Sequence, residues 1–227
     1  MTESTTASKV ALEDFLTSVG TAVQQIAGSD QRGFFRPGKI TLGIILDPST
    51  GGPPIRAANE IGGSWDLQQM VSTAGAMHGA LVERITAFSR LTDSEKVAEA
   101  ARAAEELRAN GLLTSSDGEQ LAAVLGALSN INTQVTDAIN KIAQVDSTKM
   151  SLLGTLIINI ARDSVNRAAA ESRAAGRLHL GNPVAHADVM GALVGAGVGF
   201  AVSGGQIGGA IAGGLIGGTA ASIAVAV

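Results

Sequence analysis

189-VMGALVGAGVGFAVSGGQIGGAIAGGLIGGTAASIAVAV-227 carries no charged side chain, and twelve of its residues are glycine. Small residues recur there at every fourth position, as Gly191, Gly195 and Gly199, then as Gly205, Gly209, Gly213, Gly217 and Ala221. Residues four apart lie on one helix face, and small ones let two helix backbones approach closely. An uncharged run of this length sits either in a bilayer or inside a complete wrapping of protein.

The polar cluster Ser203–Gln206 divides the run into Val189–Val202 and Ile207–Val227. The second segment, if helical, is roughly 30 Å long, the thickness of a bilayer's hydrocarbon core. The first reaches only roughly 21 Å at the same rise. Extending it backwards would bring His186 and Asp188 inside, and a mid-bilayer Asp costs about 3 kcal/mol. The expected element is a hydrophobic helical hairpin, a glycine zipper, over 184–227. Interfacial aromatic anchors are missing, because Phe200 is the only aromatic after Phe88. That shifts the expectation from a permanent anchor to conditional insertion.

Upstream, the chain reads as an ordinary water-facing protein. Every charged residue lies at or before Asp188. With 45% hydrophobic but only 3% aromatic residues, the apolar mass is Ala, Val, Leu and Ile, which favours helices over a β-sandwich. The fold expected is mainly all-α, a multi-helix bundle of long amphipathic antiparallel helices with one short N-terminal strand. Segment 1–63 holds an amphipathic helix over 8–27, a β-branched strand or arm over 39–46 (KITLGIIL), and a Gly/Pro loop. Segment 64–183 is the amphipathic bundle. A helix over 64–91 precedes Thr92-Asp-Ser-Glu95, a capping box that opens a helix ending at Asn110-Gly111. Ser116-Asp-Gly-Glu119 reads as a second box. Leu121, Leu128, Val135 and Ile142, interleaved with Val124, Ile131, Ala138 and Val145, form a seven-residue repeat that predicts one helix through 145 and a seam for a partner helix, of this chain or of a partner chain. A break at 146–148 and a helix over 148–177 complete an antiparallel pair.

Chemistry is sparse. With no cysteine, thiol and disulfide chemistry are excluded. His78 falls near an apolar stripe, as structural histidines do. His179, His186 and Asp188 have a spacing matching no metal motif, so no metal is expected; a milder role is a pH-sensitive entrance to the hairpin. No phosphate-loop motif occurs, and no lysine follows Lys149. Neither catalytic residues nor a cofactor are predicted, and the chain is expected not to be an enzyme. A net charge of −4 without a basic cluster argues against nucleic acid. Met1–Lys9 lacks an apolar core, so synthesis in the cytosol without a cleaved signal is expected.

In layout alone, amphipathic helices around an Ala/Gly-rich hairpin are similar to α-helical pore-forming toxins of the colicin type. No motif residues carry that comparison, and a C-terminal hairpin departs from it. The function expected is membrane-active: insertion of the hairpin into a lipid bilayer, homo-oligomerisation and permeabilisation. The alternative is a non-enzymatic scaffold that is anchored by the hairpin or buries it in a soluble oligomer.

Overall fold

The computed structural model describes residues 79–80, 83–84, 87–88, 90–129, 135–146, 149–175 and 181–225. The expected helix over 8–27, the strand over 39–46 and the loop after it lie outside these residues. Of the helix expected over 64–91, residues 79–80, 83–84 and 87–88 are described, and they are helical.

The described part is mainly α, with six helices and no strand among the described residues. They are α1 Asp93–Ala109, α2 Ser115–Ser129, α3 Val135–Ala143, α4 Leu152–Ala175, α5 Gly181–Val202 and α6 Ile207–Val225.

Local chemistry sets most of these boundaries. At α1 the Thr92 amide donates to Glu95 Oε2 at 2.8 Å, and the Glu95 amide returns to Thr92 Oγ1 at 3.4 Å, so both halves of the capping box form. This hydrogen bonding to Thr92 holds the Glu95 carboxyl below its usual range. Gly111, at φ +74°, ends the helix, and the Leu112 amide reaches back to Leu107 O at 2.9 Å. One side of α1 buries Ala100, Ala103 and Leu107. Its outer side carries Arg102 and Arg108, paired with glutamates three or four residues away.

The second capping box lies two residues earlier than Ser116–Glu119, at Thr114 and Asp117. Asp117, fully buried, takes the Thr114 amide at 2.6 Å, and its own amide donates to Thr114 Oγ1 at 3.1 Å. Its other oxygen accepts the Ser151 amide at 3.0 Å, and Ser151 caps α4 through the Gly154 amide at 3.0 Å. One carboxylate thus serves two helix N-termini, where orphan amides and the helix dipoles both favour negative charge. Gly154 makes room for it: a Cβ there would lie 2.6 Å from Asp117 Oδ1.

The heptad positions are divided between two described helices, α2 and α3, with 130–134 outside the described residues. Leu121, Val124, Leu128, Ala138, Ile142 and Val145 are all buried within this one chain. α3 packs on α4, as the short connection between them leads one to expect. Residues 152–161 of α4 are buried without interruption, so α4 lies inside the assembly along its first half.

Every other helix packs against α5. It begins at Gly181, eight residues before the uncharged run, and carries Pro183 in its first turn, where the missing N–H has no intrahelical partner to lose. Helices α1 to α4 thus pack around α5, and α6 lies against α5 and α4. Replacing Asp117 with Ala should orphan amides at two helix starts and lower stability by roughly 3 kcal/mol. Urea unfolding should register this as a lower midpoint with little change in slope.

Candidate functional site

The candidate site is the α5–α6 hairpin and the surfaces that hold it. Its two glycine stripes face each other in antiparallel register. A Cβ on Gly191 would strike Gly217 O and Ala221 Cβ; one on Gly195 would strike Gly213 O; one on Gly199 would strike Gly209 O. The reverse set, on Gly209, Gly213 and Gly217, would strike Gly199 O, Gly195 O and Gly191 O. A Cβ on Gly195 would also lie 2.9 Å from Gly217 Cα, so the two helices touch backbone to backbone. α6 holds six glycines, each disfavoured by roughly 1 kcal/mol relative to alanine in a helix interior. Close contact along the whole seam offsets that cost.

Gly205 stands apart from its stripe. It lies in the turn at φ +87°, next to Gly204 at φ +71°, and a Cβ on it would meet the Phe200 ring at 3.6 Å. The turn falls at Ser203–Gln206, as the polar cluster predicts.

Of the predicted entrance residues, His186 and Asp188 interact with different helices. His179 lies outside the described residues. His186 is half-buried on α5, within electrostatic reach of the Asp93 carboxylate in the first turn of α1. Asp188 is buried at 1% exposure and accepts a hydrogen bond from Ser164 of α4. A carboxylate placed among apolar helices needs such partners. Ser164 was not identifiable from sequence, because it reaches Asp188 from another helix and shares no motif with it. Thr155 and Asn159 are further buried polar residues of α4, and Asn159 Oδ1 accepts from Arg162 at 3.0 Å.

A groove of about 400 Å³ opens between Ala80, Glu83, Arg84 and Ala87, α1 and α5. Its floor is apolar, formed by Val194, Gly197, Val198, Ala201 and Val202, and its rim is charged. Arg84 pairs with Glu99, and Arg102 binds Glu99 at 2.7 Å and Glu106 at 3.0 Å. The network ties the helical residues before α1 to α1 itself. The hydrogen bond from Arg102 is the largest influence holding the Glu99 carboxyl below its usual range; partial burial opposes it, and the charges of Arg84 and Arg102 add to it.

Among the described residues no group of three or more His, Asp or Glu gathers as a metal site. Comparison with known proteins gives no match to a family model, a curated protein or a solved structure.

Two outcomes follow from this geometry. Gly195→Ala should cost several kcal/mol, since the methyl group meets backbone that cannot move aside. Gly126→Ala, on an exposed face of α2 with nothing within 4 Å, should stabilise by about 1 kcal/mol. Thermal unfolding of the pair distinguishes contact from helix propensity. Glu99 is more acidic folded than unfolded, so its contribution is present above the ordinary glutamate pKa and is lost as pH falls through the lowered one. The stability gap between wild type and Glu99→Gln should be below about 1 kcal/mol at pH 7 and should close on acidification, as read by urea midpoints.

Proposed function

We propose that this chain is a membrane-active helical protein that folds in water around its hydrophobic hairpin and transfers that hairpin into a lipid bilayer. The observation that carries this reading is the placement of the uncharged run. It forms α5 and α6, and α5 is covered by helices with charged outer faces while Ala185–Val202 is long and apolar enough to cross a membrane. In water the coat hides the hairpin; on lipid, the bilayer takes the place of the coat. The stripes Gly191, Gly195, Gly199 and Gly209, Gly213, Gly217 are occupied by each other, so the hairpin moves as a unit. Oligomerisation and permeabilisation would then use its outer faces.

The second reading, a scaffold that never releases the hairpin, has its own support: 67% of the Ala185–Val202 window is buried inside the chain. Core helices of water-soluble proteins share that property.

A reversible lock separates the two readings. A Cβ on Gly197 would stand 3.4 Å from Ala103 Cβ, close to the separation a disulfide spans, and the chain has no cysteine of its own. Ala103→Cys combined with Gly197→Cys should therefore join α1 to α5 when oxidised. The membrane-active reading expects dye leakage from vesicles to be abolished by oxidation and restored by reduction. Absence of both vesicle binding and leakage in the reduced and wild-type proteins supports the scaffold.

A further inference from the structure

We infer that the hairpin meets the bilayer tip first, with Phe200–Gly208 as its lipid-contacting surface and Asp188 left at the near headgroups. This rests on the membrane-active reading above and adds a direction and a depth to it. Exposure points to the tip, and the absence of charge and the paired turn amides suit its entry into lipid.

Exposure is concentrated there. Among the described hairpin residues, those classed as exposed are Ala201, Val202, Gly204, Gly205 and Gln206, while residues 187–196 and 209–218 are buried. Val202 is 45% exposed, one of two large hydrophobic side chains so placed among the described residues. Charge is absent from the tip and from all of 189–227, so nothing ionic has to be dragged into hydrocarbon.

The turn also satisfies its own backbone. The Ser203 amide donates to Gly199 O at 3.0 Å, Gly204 to Ala201 O at 3.2 Å, and Gly205 to Phe200 O at 2.9 Å. The Gln206 amide donates to Ser203 Oγ at 3.2 Å, and that hydroxyl donates to Phe200 O at 3.0 Å. Four successive amides are thus paired without water. Bonds of this kind end many helices in water as well; here they mean that the tip would carry no orphan turn amide into lipid, where each one is costly.

The depth follows from the position of Asp188. Val189–Val202 is roughly 21 Å of helix, shorter than the roughly 30 Å hydrocarbon core. With Asp188 held at the headgroups, the tip lodges inside the far half of the bilayer.

Because the chain lacks cysteine, Val202→Cys, Gln206→Cys and Ala122→Cys each place one environment-sensitive fluorophore on an exposed position, the last on α2 as a control. The labelled full-length chain is mixed with vesicles of equal phosphatidylcholine and phosphatidylglycerol. The labels at 202 and 206 should shift to the blue and be quenched by lipid-borne nitroxide, while the label at 122 stays open to aqueous iodide. Val202→Asp should weaken vesicle binding roughly tenfold or more, and Ala122→Asp should not. Vesicle-bound protein whose tip labels remain open to iodide overturns the tip-first route and leaves the membrane-active reading standing. Tip labels shielded in protein alone, increasingly so as protein concentration rises, assign the surface to a second copy; shielding independent of concentration assigns it to the groove of the same chain, and either overturns the tip-first route. No binding to vesicles at all overturns both.

Discussion

The backbone contact between α5 and α6 is the constraint from which the rest of the structure follows. At Gly191, Gly195, Gly199, Gly209, Gly213 and Gly217 a single methyl group would collide with a carbonyl of the opposite helix. Helices this rich in glycine have little reason to form alone in water. Each becomes stable by lying on the other, and the pair then presents a broad apolar surface. Leu107 of α1, Leu121 and Leu128 of α2, and Leu153 and Ile157 of α4 supply the side-chain volume that the glycines lack. Small residues therefore line the α5–α6 seam, while Leu193 of α5 and Ile211 of α6 are buried away from it.

That division explains why α5, with almost no amphipathic character, can be the helix that all others touch. A helix that is apolar on every side is stable in water only when it is surrounded. Most of α5 is surrounded by protein; the exception is the end that carries the turn. The only polar event in its buried length is Asp188, met by Ser164 from α4. This ties the hairpin to α4 by a directional bond.

Features governed by neighbours in sequence were legible in the sequence. The Thr92–Glu95 box, the Gly111 stop and the Ser203–Gln206 turn each depend on residues a few positions apart. Features governed by distant partners were not. The glycine stripes announce a close approach but do not name the helix approached, so lipid-embedded copies and an adjacent helix read alike. Gly205 falls on the four-residue spacing but serves the turn, because periodicity does not register where a helix stops. Thr114 and Asp117 have the same spacing as Ser116 and Glu119; the choice between frames is made by Ser151, 34 residues from Asp117. Likewise the described heptad positions Leu121, Val124, Leu128, Ala138, Ile142 and Val145 are buried within this chain, a fact that repetition alone does not contain.

The carboxylate of Asp117 has a consequence for how this sequence can drift. Its space exists because residue 154 has no side chain, and its role exists because residue 151 presents an amide. A larger residue at 154 is admissible only alongside a different solution at 117, and a different solution at 117 leaves two helices to find separate caps. Positions 114, 117, 151 and 154 therefore form one inherited unit spread over two helices. In related chains they should change together or not at all.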